Sequence, residues 1–381
     1  MRRALLLPAA ALALALVTVG SAVAGRPPPG APAIDAHAYL VVNADTGDVL
    51  LSKNADKRLA IASLTKLMTV DVALQRLDLN QKVTVSKLAT KAGEESADLR
   101  AGERIKVSDL VRAALIQSAN DAAGALADAA SGGDRKLFAN WMNDEAQKIG
   151  LKHTHFVRPD GLDAPGHYSS ARDVTRLAQW VMMGLPVVRE DVRMRTSTIS
   201  RGRRLSTWND LLGVFRGVVG VKTGHTDEAG WCQVALLRRD GLQIYATILG
   251  SPSRSQRNHD LAALLRFALS RYQVVPLARV GDPLTKVETA YGRGAVPVTV
   301  SRSLTLSVRA DRPLVEKLIL PRRLALPVRR GQHVGEVRVY SGSKLLGERE
   351  LVAMRSVAKT GLLGKVGWYG KQTIHNLYGW F

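Results

Sequence analysis

A serine followed at the third position by a lysine, Ser63-Leu64-Thr65-Lys66, can set an amine beside a hydroxyl, because residues i and i+3 of a helix share one face. At a helix N-terminus, unpaired N–H groups and the helix dipole favour negative charge, on an alkoxide or on an anionic ligand. That position suits a nucleophile. The lysine becomes its base only if its pKa falls, which requires burial or a second cation, so a second lysine is to be sought. Two further polar clusters invite chemistry. Gln117-Ser118-Ala119-Asn120-Asp121 breaks a helical region and could aim Ser118 and Asn120 into a cleft, or serve as a plain interhelical turn with Asn120 as a cap. Lys222-Thr223-Gly224-His225 ends a strand-like run in a small polar loop.

Several elements must position these groups. Tyr39 to Ala44 and Gly47 to Ser52, joined through Asp45-Thr46-Gly47, predict a β-hairpin. The apolar positions from Ser63 to about Leu77 predict a largely buried helix. Short extended pieces at Val83 to Val85 and Ile105 to Val107 precede a helix over Asp109 to Ile116, with Ser108 as its cap. Further helices are expected over Ala122 to Ala130 and Arg135 to Ile149, where Asn143 has a surface or capping role by default. Leu151 to Tyr168 lacks periodicity and is expected as a loop, and Ser170 caps a helix to about Met183. Strands near Gly230 to Arg238 and Leu242 to Leu249 follow the Val218 to His225 run, and then a helix over Asn258 to Tyr272. His153 and His155 have no third ligand at metal spacing, and no His-Glu-x-x-His helix exists, so no metal is expected.

The ends of the chain differ in character. Arg2 and Arg3 precede an apolar run to Val19, and Ala22-Val23-Ala24 offers small residues at the right spacing for cleavage, so residues 1–24 are expected to be a secretory signal. Residues 25–33, with Pro27-Pro28-Pro29-Gly30, form an extended leader. Loss of Arg2 and Arg3 takes the net charge of +21 to +19, which meets phospholipid head groups or carboxylate-rich wall polymer outside the cytoplasm rather than nucleic acid, for which no binding motif is present. The single cysteine, Cys232, lies in a strand-like run and is expected to be a buried structural thiol.

Near Val275 the composition shifts to short extended runs broken by Gly and Pro, which predicts an all-β unit over 275–355 with no catalytic constellation. Over residues 356–381, Leu362, Leu363, Val366, Tyr369, Ile374, Leu377, Tyr378, Trp380 and Phe381 fall on one half of a helical projection, with Trp368 as the misfit. This tail is too short in continuous apolar residues to span a bilayer and is expected to lie on a membrane surface; docking back onto the β unit is the alternative.

The chain carries its own decoys: Ser341-Gly342-Ser343-Lys344, Ser52-Lys53-Asn54 and Lys359-Thr360-Gly361 repeat the short motifs outside any common domain. Only Ser63-Leu64-Thr65-Lys66, Ser118-Ala119-Asn120 and Lys222-Thr223-Gly224 come in order within residues 34–274. This ordered triple resembles the serine penicillin-recognising enzymes. Gly220-Val221-Lys222-Thr223-Gly224-His225-Thr226-Asp227, His155-Phe156, Asp160-Gly161-Leu162-Asp163-Ala164-Pro165-Gly166 and Ser169-Ser170-Ala171 narrow it to the membrane-anchored D-alanyl-D-alanine carboxypeptidases among the low-molecular-mass penicillin-binding proteins. The resemblance implies an α+β fold: a β-lactamase/DD-peptidase-like transpeptidase domain, an antiparallel sheet flanked by helices, followed by the small all-β domain and the C-terminal amphipathic helix.

It also implies roles. Ser63 would attack the carbonyl of the penultimate D-alanine of a peptidoglycan stem peptide, and Lys66 would take its proton as general base, kept neutral partly by the charge of Lys222, the second lysine sought. Ser118 would relay a proton to the leaving amine, and the Asn120 amide would hold the substrate backbone. Lys222 and Thr223 would bind the terminal carboxylate, Gly224 would leave room for it, and the backbone N–H groups of Ser63 and His225 would form the oxyanion hole. β-Lactams would be covalent inhibitors, no cofactor is implied, and the enzyme would sit on the periplasmic face of the inner membrane through its tail.

Three rivals remain. A class A β-lactamase shares the triad but uses a glutamate for deacylation, and residues 158–170 contain none. A DD-endopeptidase cuts the same bond type in cross-links. A non-catalytic wall-binding scaffold would be marked by substituted motif residues, and all those expected are present.

Overall fold

The structure is a computed structural model that describes residues 29–363 and 365–368. The expected signal segment 1–24 and the tail positions from Tyr369 to Phe381 lie outside the described residues. The first hairpin forms as expected, β1 (Ala38–Asn43) against β2 (Val49–Lys53). After it a 3-10 turn (Ala62–Thr65) leads into α1 (Lys66–Leu74). A small ribbon, β3 (Lys82–Thr84) with β4 (Arg104–Lys106), runs into α2 (Val107–Arg112).

Here the structure departs from expectation. Lys106, not Ser108, is the residue that precedes the helix, and α2 ends in one turn of π-helix (Ala113–Gln117) that delivers Ser118 in a left-handed conformation at φ 69°. Such a widened turn is a known device for aiming a side chain at a site. The helices α3 (Asn120–Ser131), α4 (Arg135–Ile149) and α5 (Ala171–Gly184) follow, the last two capped by Asp134 and Ser170 side chains. Residues 184–217, which carry no clear periodicity in the sequence, hold α6 (Pro186–Asp191) and a hairpin of β5 (Thr196–Ile199) and β6 (Arg203–Ser206).

The chain then crosses the molecule three times as β7 (Val218–Thr226), β8 (Gly230–Arg239) and β9 (Leu242–Ser251), completing an antiparallel sheet in the order β2-β1-β9-β8-β7. Period-two alternation divides the sheet's faces. Ala38, Leu40 and Val42 of β1 pack into the core beneath α1 and α5, while Tyr39 and Val41 pack into a second core beneath α7 (Arg254–Ser270). This explains why β1 is buried along its whole length. Helix α7 starts four residues before the expected Asn258: the Ser253 side chain accepts the Gln256 N–H, a capping signal of Ser-x-x-Gln type. It also stops short of Tyr272, which begins the next strand.

That strand, β10 (Tyr272–Ala278), leads directly into the all-β unit of β11 (Thr285–Glu288), β12 (Ala295–Val300), β13 (Leu304–Arg309), β14 (Leu314–Ile319), β15 (His333–Ser341) and β16 (Lys344–Ala353). Five strands order as β11-β12-β16-β15-β14 over a core that includes Val296, Val298, Val339 and Leu351, and β10 pairs with β13. The two units touch through the Asn43 amide donating to Tyr272 Oη at 2.7 Å, Arg312 on Asp48 at 3.0 Å, and the Ser307 hydroxyl on the Asp240 carbonyl.

Candidate active site

The residues singled out by spacing meet in one place. Ser63 sits in the 3-10 turn just before α1, after Ala62, which holds an uncommon φ of 48°. Lys66, the first residue of α1, is completely buried and its Nζ lies 2.5 Å from Ser63 Oγ, 2.6 Å from Asn120 Oδ1 and 2.7 Å from the Asp160 carbonyl. Burial pulls this amine down to about 8, against the carboxylates of Asp160, Glu94 and Glu95, which favour its charge. A neutral amine has two N–H donors and one lone pair. With Asn120 and Asp160 accepting the two hydrogens, the lone pair faces the Ser63 hydroxyl.

Lys222 is buried too, donating to Ser118 Oγ at 2.7 Å and to the Thr223 carbonyl at 2.8 Å. Its amine is held well below the ordinary lysine range by burial first and by the charge of Lys66 second. The repulsion between the two amines disfavours charge on both, and for Lys66 burial is the largest cause.

Thr223, Gly224 and His225 bring β7, the edge of the large sheet, against the Ser63 turn. A methyl group on Gly224 would lie 2.9 Å from the Ser63 nitrogen, so only glycine lets the strand approach this closely. The His225 ring is exposed and leans on Trp231, with centroids 4.1 Å apart. Together these residues line a cavity of about 350 Å³.

Asn120 lines the cavity and is tied to its surroundings. Its Oδ1 accepts from Lys66, its Nδ2 donates to the Gly93 carbonyl at 2.8 Å, and its backbone N–H goes to Glu95. It positions the base and the cavity wall, leaving one amide hydrogen for a ligand.

Several functional groups escaped the sequence. Glu94 and Glu95, from the stretch between β3 and β4, stand on the cavity wall, and that stretch is fastened by Asp121, whose carboxylate accepts from Ala97 N, Leu99 N and Ser96 Oγ. Burial raises the Glu95 carboxyl while the Trp208 indole, hydrogen-bonded to it, works the other way. Arg257, 1% exposed, also reaches the cavity, tied to the Trp208 carbonyl and Asp210 and 5.6 Å above the Trp231 ring. The signal for it was the cap at Ser253; misplacing that start by four residues left Arg257 outside the helix.

The loop 151–170 has no regular element and works as the floor of the site. Asp160 is clasped by Arg158 through two hydrogen bonds of 2.5 and 3.0 Å; burial would raise its carboxyl, but Arg158 and Lys66 together hold it below the usual range. Thr69 donates to the Pro159 carbonyl at 2.5 Å. His167 Nδ1 accepts the Val157 N–H, so the proton sits on Nε2 and is donated to Thr65 Oγ1 at 2.8 Å. Burial takes that ring down to about 4, which keeps it neutral at pH 7. Asn143, expected at the surface or in a cap, instead pins this loop by exchanging two hydrogen bonds of 2.8 Å with the Phe156 backbone.

The arrangement can perform acyl transfer: a hydroxyl beside a buried amine of lowered pKa, a second hydroxyl bridged to a second buried amine, and Arg257 on the cavity wall to meet an anionic group. Comparison with known proteins agrees. The family described as D-alanyl-D-alanine carboxypeptidase matches residues 26–253, and the penicillin-binding protein 5 C-terminal domain matches residues 272–359. The D-alanyl-D-alanine carboxypeptidase DacF of Bacillus subtilis is 30% identical over 343 residues, spanning 86% of this chain and 87% of that protein. The crystal structure of penicillin-binding protein 5 from Haemophilus influenzae superposes with a TM-score of 0.63 at 26% identity, covering 86% of this chain and 99% of the other. An ampicillin-bound penicillin-binding protein of Listeria monocytogenes superposes with a TM-score of 0.56 at 33% identity, covering 61% and 97%. With the paired lysines, the three motifs and both domains accounted for, the chain belongs to the D-alanyl-D-alanine carboxypeptidase family of serine peptidases.

Proposed function

We propose that the protein is a serine-type D-alanyl-D-alanine carboxypeptidase that trims the terminal D-alanine from peptidoglycan stem peptides. Ser63 Oγ attacks the carbonyl of the penultimate D-alanine as its proton passes to Lys66 Nζ. The C–N bond then breaks, a proton returned through Ser118 leaves with the amine of the terminal D-alanine, and the acyl group stays on Ser63 as an ester. Water attacks that ester as Lys66 takes its proton, the acyl C–O bond breaks, and the proton passes back to Ser63 Oγ as the shortened peptide leaves with its new carboxyl group. Lys222, Thr223 and the buried Arg257 hold the terminal carboxylate, and the backbone N–H groups of Ser63 and His225 receive the developing oxyanion. Apart from the hydrolytic water, every group in this scheme is a residue of the chain. A β-lactam enters as a mimic of the peptide and stays as the acyl group.

One observation carries this reading: Lys66 Nζ lies 2.5 Å from Ser63 Oγ and is otherwise held by Asn120 Oδ1 and the Asp160 carbonyl. Incubation with a synthetic peptide ending in D-alanyl-D-alanine tests it. D-alanine is released by the native protein and not by Ser63→Ala; release by the alanine variant overturns the reading. A cross-linked dimer as competing substrate measures any endopeptidase activity.

Export by the first 24 residues and attachment to the periplasmic face of the inner membrane through the tail complete the proposal. It is supported by the amphipathic pattern of residues 356–381 and by the exposure of Leu362, Leu363 and Val366. No helix among the described residues is long and apolar enough to cross a membrane.

A further inference from the structure

The β unit has two opposite ends. At one, the tip of the β15–β16 hairpin, Ser341 to Lys344, lies beside Asp45, Asp48 and Asp240 of the catalytic unit. Strand β16 then runs ten residues away from that contact, a distance of about 33 Å at 3.3 Å per residue. At its far end three segments come together: the turn at 289–294, the crossing at 320–332, and the chain leaving β16 at 353–360. Leu324 donates to the Glu288 carbonyl, Val328 and Val357 exchange two backbone hydrogen bonds of 2.9 Å, and Arg330 N donates to Ser356 Oγ. Arg293 Nε reaches Thr360 Oγ1, itself buried.

These segments expose Arg293, Arg322, Arg323, Arg329, Arg330 and Arg355, and they contain no Asp or Glu. No carboxylate lies within ion-pair distance of any of the six among the described residues. Cations of one sign are thus concentrated at the end of the molecule farthest from the hairpin contact. The chain leaves this face without trailing from it. The Trp368 ring stands edge-on to Tyr291 at 5.8 Å, with the Arg323 guanidinium 5.5 Å from its centre, and a methyl on Gly292 would meet it at 3.2 Å. Trp368, the misfit of the amphipathic pattern, is the residue that seats the tail on the β unit. Beside it Leu362 is 83% exposed, Leu363 91% and Val366 69%.

We propose that this end of the β unit is itself a docking face for an anionic bilayer, its arginines taking lipid phosphates while Leu362, Leu363 and Val366 enter the interface. The inference rests on the reading of the tail as a membrane anchor and extends it to the folded domain. Arginines match phosphate oxygens, and cations near an anionic leaflet add to binding one by one. A soluble polyanion would satisfy the arginines but not the three apolar side chains rising among them; a bilayer surface takes both. Held this way, the catalytic unit stands off the membrane by the length of β16.

The test uses the chain without its first 24 residues, sedimented with vesicles of phosphatidylglycerol and phosphatidylethanolamine or of phosphatidylcholine alone. Each arginine near the surface contributes roughly fivefold, so Arg322→Gln, Arg329→Gln and Arg330→Gln together lower binding to anionic vesicles about a hundredfold and flatten its salt dependence. Binding to phosphatidylcholine stays as it was, and acylation of Ser63 by labelled penicillin reports that the variant is folded. Leu362→Asp with Leu363→Asp weakens phosphatidylcholine binding yet keeps a salt-sensitive attachment to anionic vesicles. Native-like binding of the triple variant to anionic vesicles overturns the proposal and leaves the tail reading standing. Loss of all anionic binding in the double aspartate variant overturns it as well. No change of the aspartate variant on either vesicle takes Leu362 and Leu363 out of the interface and overturns the proposal, even with the triple variant weakened. If the three glutamines reduce binding to soluble polyphosphate and leave vesicle binding intact, the face reads a polyanion and the membrane proposal falls.

Discussion

The backbone of Gly161 passes so near Ala62 that a methyl on it would stand 2.1 Å from the Ala62 carbonyl oxygen and 2.8 Å from Thr65 Oγ1, at a φ of 85°. The loop that offers the Asp160 carbonyl to Lys66 therefore cannot accept any side chain at this point. Gly161→Ala is expected to cost at least about 2 kcal/mol in stability and to slow penicillin acylation at least tenfold. Gly133→Ala separates clash from conformation: it shares a positive φ of 94°, but a methyl there meets nothing within 4 Å, and it costs about 1 kcal/mol. Equal thermal shifts in the two variants would refute the close approach.

Lys66 must be neutral to accept a proton, and its amine is brought to about 8. About a tenth of the molecules carry the neutral amine at pH 7, so acylation by a β-lactam should climb nearly tenfold between pH 7 and 9 and level off above. Rapid-mixing kinetics from pH 6 to 10 measure this directly. A rate that is flat or falls over that range excludes Lys66 as the base.

Glu95 supports the charged form of Lys66 and of Lys222. Replacing it with glutamine, which can still accept from the Trp208 indole, removes that support, so both amines lose their protons more easily. The rising limb of the acylation profile should move to lower pH and the rate at pH 7 should increase. Glu316→Gln, on an exposed position of β14, serves as the control and leaves the profile in place. A shift to higher pH in Glu95→Gln contradicts the electrostatic assignment.

Cys232 is completely buried, its thiol pushed up to about 12 by desolvation. At pH 8 about one thiol in ten thousand is ionised, so iodoacetamide should leave the native protein unlabelled over hours and label it within minutes in denaturant. Rapid labelling of the folded enzyme would show that β8 opens.

The catalytic motifs were legible because each stands at a break between elements that periodicity and caps announce. Asp134 and Ser170 mark the starts of α4 and α5 where their side chains accept the helix N–H groups. Cys232 on β8 and the unstructured 151–170 loop were equally plain. What was hidden depends on tertiary contacts. Ser118 takes a left-handed conformation without being Gly or Asn, imposed by the π-turn before it and by Lys222 across the cleft. Glu94, Glu95 and Arg257 join the site only because Asp121 and Trp208 hold their segments there, and no local pattern encodes those ties. Asn143 looks like any surface asparagine of a helix until the Phe156 backbone comes to meet it.

The joint between the two units is a strand that begins two residues after α7 ends and is at once hydrogen-bonded to β13 along its length. It is no swivel. On the proposed membrane seat, a catalytic mouth mounted on such a joint would keep a fixed bearing toward the bilayer and graze only the layer of polymer at one altitude. Lengthening the joint with flexible glycines would let the mouth wander, widening its territory while thinning its encounters with strands at the original height.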